Sequence, residues 1–199
     1  GGSNTSYVDS ADLKRGVRYC YMVVATYPPD VDGYASIEFC ASLPLIMPLM
    51  TRVDVLSTDE QSGDIDIAWI APPELDSNSF PPPYGYDIYR AEGIDGQDYE
   101  RLQRVSGLNN TTFSDQGLNT QDNGYRYLVA FLSGPNQDSV GSSDPASSVY
   151  LTATGRDEKN ELQFNHNTPW LNEQYTIFRE NPTGSGNFDS IAQAFEDSY

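Results

Sequence analysis

Apolar and polar residues alternate along short stretches of this chain, and no long stretch keeps the spacing of an amphipathic helix. That pattern predicts strands. Tyr19-Cys20-Tyr21-Met22-Val23-Val24-Ala25 is one, rich in aromatic and β-branched residues. Others are expected at 36–43, 51–57, 64–70, 84–90, 99–105, 111–114, 125–132 and 147–154. Turn-forming runs such as Pro28-Pro29-Asp30 and Gly134-Pro135-Asn136 separate them. Many short strands divided by such turns predict an all-β sandwich.

The strands repeat. Tyr7-Val8-Asp9 matches Phe113-Ser114-Asp115, Tyr19-Cys20-Tyr21 matches Tyr125-Arg126-Tyr127, and Ser36 matches Ser142, all at an offset of 106. A second offset, 89, links Tyr86-Asp87-Ile88-Tyr89-Arg90 to Tyr175-Thr176-Ile177-Phe178-Arg179, and Tyr99 and Leu102 to Phe188 and Ile191. Such self-similarity predicts one complete module, 51–154, between the second half of another (1–48) and the first half of a third (158–199). Residues 44–50 and 155–157 are the expected linkers.

Residues 51–154 resemble a fibronectin type III domain. Trp69, in Ile65-Asp66-Ile67-Ala68-Trp69, stands at that family's strand-B tryptophan, and Tyr125 at its tyrosine corner on strand F. Leu13-Lys14-Arg15-Gly16-Val17-Arg18-Tyr19 is similar to the family's approach to strand F. The resemblance implies strands A, B, C, C′, E, F and G in the middle module, with Trp69, Tyr19 and Tyr125 as core residues. Residues 1–48 then supply E, F and G of a half-module, and 158–199 supply B, C and C′ of another. Phe164 stands where the third strand B would carry tryptophan.

Asn167-Thr168-Pro169-Trp170 followed by Tyr175-Thr176-Ile177-Phe178-Arg179 resembles the type III-like repeats of large Bacteroidetes surface proteins, those associated with gliding motility and type IX secretion. That likeness implies an extracellular, cell-surface location and an adhesive or spacer role without enzymatic activity. Asp9-Ser10-Ala11, Asp138-Ser139-Val140 and Asp189-Ser190-Ile191 resemble Bacteroidetes O-glycosylation sites, which makes Ser10, Ser139 and Ser190 candidates. The first two fall in expected loops. Cys20 and Cys40 lie on the implied neighbouring strands F and G, where a hairpin brings two Cβ atoms within disulfide reach. A disulfide indicates an oxidising compartment; the other reading is two buried free thiols.

Charge narrows the partners. The chain has 11 Lys+Arg against 29 Asp+Glu, a formal net charge of −18. Nucleic acids and anionic membrane surfaces call for cationic faces and are excluded. The longest apolar run, 43–50, is broken by Pro44 and Pro48 and falls short of a membrane span. The acid is concentrated in 51–154, with sixteen acids against five bases. It reads as the solvated outer shell of a sandwich.

Candidate chemistry is sparse. His166 is the single histidine. It lies at a strand end beside Pro169, with no nucleophile arranged around it. No cysteine and histidine set has zinc spacing, so no cofactor or metal is expected. Asp30-Val31-Asp32-Gly33, Asp95-Gly96-Gln97-Asp98 and Asp157-Glu158 are fragments of calcium-like loops without the distal glutamate such a loop needs. Tyr34, Tyr84, Tyr150 and Trp170 are candidate stacking platforms for a glycan, the mark of a carbohydrate-binding accessory region, or simply strand aromatics that pack on neighbours. Phe80-Pro81-Pro82-Pro83-Tyr84 is expected to stiffen the B–C loop.

The two incomplete modules stop in the same region, between C′ and E. Asn4 corresponds to Asn110 at one offset and Tyr199 to Asn110 at the other. Each half lacks what the other offers. The expectation is that the E-F-G half of one copy completes the A-B-C half of another, so that copies of the chain are its own partners.

Overall fold

A computed structural model describes residues 6–11, 13, 17–42, 46–172 and 174–195. The expected boundary residues Asn4 and Tyr199, part of the approach to strand F (14–16), the last residue of the expected strand 36–43 and the start of the first linker (44 and 45) lie outside the described residues. The protein is all-β. Its strands are β1 (Arg18–Tyr21), β2 (Val24–Tyr27), β3 (Val31–Ala35), β4 (Phe39–Ser42), β5 (Leu49–Ser57), β6 (Gly63–Ile70), β7 (Gly85–Glu92) and β8 (Glu100–Ser106). They continue as β9 (Thr112–Leu118), β10 (Tyr125–Ser133), β11 (Asp138–Ser142), β12 (Ala146–Ser147), β13 (Tyr150–Arg156), β14 (Lys159–Asn165), β15 (Tyr175–Glu180) and β16 (Phe188–Ala194).

The middle of the chain is a closed sandwich. An antiparallel sheet β5-β6-β9 faces a second sheet, β11-β10-β7-β8, with β12 also paired to β10. Alternation along β6 explains the core: Ile65, Ile67 and Trp69 point inward, while Asp64, Asp66 and Ala68 sit partly in solvent. The opposite sheet contributes Tyr86, Ile88, Tyr127, Val129 and Phe131, all fully buried. Each such side chain stabilises the fold by about 1.5–3 kcal/mol through burial. Trp69 meets Tyr86 edge-on at 5.2 Å between ring centroids. The Tyr125 hydroxyl donates to the Asn119 carbonyl at 3.3 Å.

Three expectations about the borders are corrected. The last strand of the sandwich is not 147–154. It is split into β11 and β12, and it ends where its partner does: Ser147 pairs with Arg126 and the Ser148 amide bonds the Tyr125 carbonyl, the first residue of β10. Beyond that point no β10 backbone remains to pair with. The chain turns away, and β13 takes β14 as its partner. Consequently Gly155 and Arg156 are not linker but strand, and Asp157-Glu158 is the hairpin turn, with Glu158 at φ +61°. In the other linker Ile46, Pro48 and Met50 are buried against the sandwich core. Gly141 permits that approach, because a Cβ there would lie 2.6 Å from the Ile46 carbonyl oxygen.

Outside this sandwich the described residues form four two-stranded antiparallel sheets, β1-β4, β2-β3, β13-β14 and β15-β16. Two of them are anchored. The Ser147 amide donates to the Asn167 carbonyl at 2.8 Å and the Asn167 amide donates to Ser147 Oγ at 2.7 Å. The Asn167 side chain donates to Asp95, and Trp170 packs on the sandwich core.

Candidate functional site

The outer hairpins copy the sandwich residue by residue. In β7-β8 the register runs Tyr86↔Val105, Ile88↔Gln103, Tyr89↔Arg101 and Arg90↔Glu100, with an irregularity between Ile88 and Tyr89. In β15-β16 it runs Tyr175↔Ala194, Ile177↔Ala192, Phe178↔Ser190 and Arg179↔Asp189, with its irregularity between Ile177 and Phe178. Every pair is displaced by 89, the bulge included. Phe164 lies 4.8 Å from Tyr175 between ring centroids, as Trp69 lies beside Tyr86. Phe164 thus meets Tyr175 as Trp69 meets Tyr86, although the two residues are 95 positions apart rather than 89.

The N-terminal hairpins repeat β10 with β11 and β12 in the same way. Val24↔Ala35, Thr26↔Asp32 and Tyr27↔Val31 correspond to Ala130↔Ser142, Leu132↔Ser139 and Ser133↔Asp138. The offset is 106 on the first strand and 107 on the second. The turn accounts for the change: residues 28–30 are one fewer than 134–137. This corrects one match, because Ser36 is the counterpart of Ser143 rather than Ser142. Ser36 donates its amide to the Val23 carbonyl at 2.8 Å, and its Oγ accepts the Val23 amide at 3.0 Å. Ser143 does the same to Val129 at 2.9 and 3.0 Å.

A charged triad crosses the sandwich interior. Asp115 on β9 accepts Arg90 Nη1 from β7 at 3.0 and 3.2 Å and the Tyr127 hydroxyl from β10 at 2.9 Å. Arg90 also lies over the Tyr125 ring, 5.6 Å from its centroid. Burying a carboxylate is tolerable only with such partners. Burial, then the adjacent Asp115 carboxylate, push the Tyr127 hydroxyl well above the ordinary tyrosine range. Two members recur at offset 106: the Tyr21 hydroxyl donates to Asp9 at 3.0 Å. The third recurs at offset 89 as Arg179, which has no ion pair among the described residues. Sequence reasoning matched these residues but gave them no role. The available signal was a charged residue at the inward phase of a strand, following Tyr86 and Ile88 at two-residue steps.

What differs is the cover. Tyr127 and Val129 are fully buried, whereas Tyr21 is 40% and Val23 71% exposed. Tyr7, Leu13, Tyr19, Tyr21 and Val23 line a concave apolar face of about 700 Å³. Leu151, Leu162, Phe164, Tyr175, Ile177 and Ile191 line a second of about 570 Å³. Both are concave apolar faces open to solvent.

Cys20 and Cys40 sit directly opposite each other across β1 and β4 and are joined as a disulfide. With Glu38 they form a group close enough to hold a metal, but sulfurs bonded to each other have no thiolate to offer one. Trp69 and Tyr125 are buried in the core, while Tyr19 is half-buried on the open N-terminal face. Ser10, Ser139 and Ser190 are exposed. Ser139, expected in a loop, lies on β11 opposite Leu132.

The remaining candidates are engaged in structure. His166 contacts the Tyr175 hydroxyl through Nε2 and Thr168 Oγ1 through Nδ1. Asp32 accepts Thr26 Oγ1 at 2.7 Å. Glu161 pairs with Arg156 and Lys159, each at 2.8 Å, and Lys159 foremost holds its carboxyl below the ordinary range. Tyr84 stacks on Phe131 at 5.7 Å and donates its hydroxyl to the Phe80 carbonyl. Tyr34 is fully exposed on β3, whereas Tyr84 and Trp170 pack against the core. No helix is long and apolar enough to cross a membrane among the described residues. No protein-family model and no curated protein matches the chain.

Proposed function

We propose that this chain is a non-enzymatic structural repeat segment of an extracellular bacterial surface protein, built of fibronectin type III-like modules. It assembles head to tail when its two open half-sandwich faces close on each other. The observation that carries this reading is the residue-for-residue copying of the closed sandwich by hairpins whose apolar faces stand uncovered. Uncovered apolar surface and free strand edges drive association, and a heterologous contact of this kind propagates into rows or rings.

The disulfide supports an oxidising, extracellular setting, and the resemblance to Bacteroidetes gliding-associated repeats supports a surface location. The strongly acidic outer shell keeps such an array soluble and leaves its growth to the apolar faces. Sedimentation velocity over a concentration series of the oxidised chain tests the reading. Species should grow stepwise beyond the monomer as concentration rises. A strict monomer throughout, with the outer hairpins folded, overturns it.

A further inference from the structure

The chain leaves the sandwich at β12, enters β13 at Tyr150, and passes β12 again at Asn167 on its way back from β14. Ser147, buried on β12, meets Asn167 twice. Its amide donates to the Asn167 carbonyl at 2.8 Å, and its Oγ accepts the Asn167 amide at 2.7 Å. The Asn167 side chain donates to Asp95, in the loop between β7 and β8, at 2.7 Å. One residue is thus bonded to two separate parts of the sandwich. Three residues on, Trp170 packs on the sandwich core.

The same segment is tied to β15. Thr168 Oγ1 donates to the Trp170 carbonyl at 2.8 Å, and Trp170 Nε1 donates to Asn172 Oδ1 at 3.2 Å. Asn172 donates to the Tyr175 hydroxyl at 2.7 Å, and that hydroxyl contacts His166 Nε2. Residues 166–172 therefore grip the sandwich through Asn167 and Trp170 and β15 through His166 and Asn172. The approach on the other side is close. A Cβ on Gly124 would lie 2.7 Å from Ile94 Cγ2 and 3.2 Å from the Tyr150 Cβ, so glycine lets β13 start against the β7–β8 loop.

We infer that Asn167 is a positioning residue that latches the hairpins after residue 149 to the sandwich, so that β13, β14 and β15 turn with it as one body. Units joined by a small polar contact ordinarily move relative to one another. At this junction the contact includes the buried Ser147, where losing a partner is costly, and the Trp170 ring. A flexible linker lets consecutive units point independently; this latch fixes the direction in which the chain leaves the sandwich. The inference concerns one chain and does not rest on the head-to-tail reading.

Residual dipolar couplings on the dilute, oxidised full chain test it. One alignment tensor should fit the amides of β6, β7 and β10 together with those of β13 and β14. Two tensors in the wild-type chain overturn the inference. Asn167→Asp sets a second carboxylate against Asp95. It should split the fit into two tensors and speed exchange of the Asn167 and Ser147 amides about tenfold. Adding Asp95→Asn to Asn167→Asp swaps donor and acceptor across the same contact, and should restore the single tensor and the slow exchange. Local misfolding in one loop is not repaired by a second change in another. Asn167→Asp without effect, or with an effect that Asp95→Asn does not repair, overturns the role of Asn167. The milder Asn167→Ala should loosen the junction in the same direction while the melting of the sandwich stays unchanged. A single tensor kept in that variant, with sandwich stability lost instead, overturns the latch. Sedimentation of the same wild-type sample bears on the head-to-tail reading alone.

Discussion

The Tyr21 hydroxyl donates to Asp9 across 3.0 Å on a sheet face open to solvent. The same two residue types, 106 positions later, make the same bond as Tyr127 and Asp115 inside a closed core. An aspartate and a tyrosine so placed are unremarkable on a surface. Here they repeat, on an exposed face, the geometry of a buried site.

The buried copy sets the energetic scale. Asp115→Ala should destabilise the middle sandwich by about 3 kcal/mol, since it strands Arg90 and the Tyr127 hydroxyl in the interior. Tyr127→Phe should cost about 1–2 kcal/mol, because Arg90 still satisfies the carboxylate. Tyr21→Phe in dilute protein should leave the melting curve of the sandwich unchanged. Urea unfolding followed by tryptophan fluorescence checks all three.

Ser143 offers a sharper probe of the core. Its Oγ accepts the Val129 amide in a buried site. Ser143→Ala should cost about 1–3 kcal/mol by leaving that donor unpaired, and amide exchange at Val129 should speed accordingly. Ser36→Ala, at the exposed equivalent, should affect only exchange at Val23.

Acid should weaken the sandwich through Asp87. This buried carboxylate accepts Arg104 in a two-pronged bond at 2.8 and 2.7 Å, and Arg101 lies 3.2 Å away. The Arg104 hydrogen bonds, foremost, hold its pKa below the ordinary 3.8. A carboxyl depressed in the folded state stabilises above its unfolded pKa, and that contribution is lost as pH falls through the folded value. Stability should therefore drop as pH is lowered below about 4, and Asp87→Asn should flatten that part of the curve. Thermal melts from pH 6 to pH 2 measure it.

Reducing the disulfide should act locally. Cys20 and Cys40 close a segment with a sequence separation of 20, and a closed loop of that size contributes about 3 kcal/mol. Cys20→Ser with Cys40→Ser should strip exchange protection from β1 to β4 and leave the melting of the middle sandwich unchanged.

How much of this was legible in the sequence follows from which interactions are local. Strand positions were readable because alternation of Ile65, Ile67 and Trp69 against Asp64 and Asp66 is a direct imprint of one buried face. The offsets of 106 and 89 were readable because paired strand segments tolerate few insertions without a shift of register. Turns do, and the one-residue difference between 28–30 and 134–137 moved the match of Ser36 from Ser142 to Ser143. Partner choice was not readable. Tyr150 to Arg156 has the pattern of a strand for either neighbour, and only the end of β10 at Tyr125 decides that it pairs with β14. Nor was the burial of Ile46 and Pro48, since two prolines in an apolar run mimic a linker. The triad was present as matched letters, but its meaning required seeing Asp115 and Arg90 meet across the sheets.

Closure of the two open faces on each other between copies is the central proposal. Hydrogen exchange on the oxidised chain, read at low and high protein concentration, tests it most directly. It predicts that β1, β2 and β15 gain protection together as concentration rises, while β6, β7 and β10 of the closed sandwich keep the same protection at every concentration. Exchange in β1, β2 and β15 that is independent of concentration, with oligomers present or absent, would contradict it.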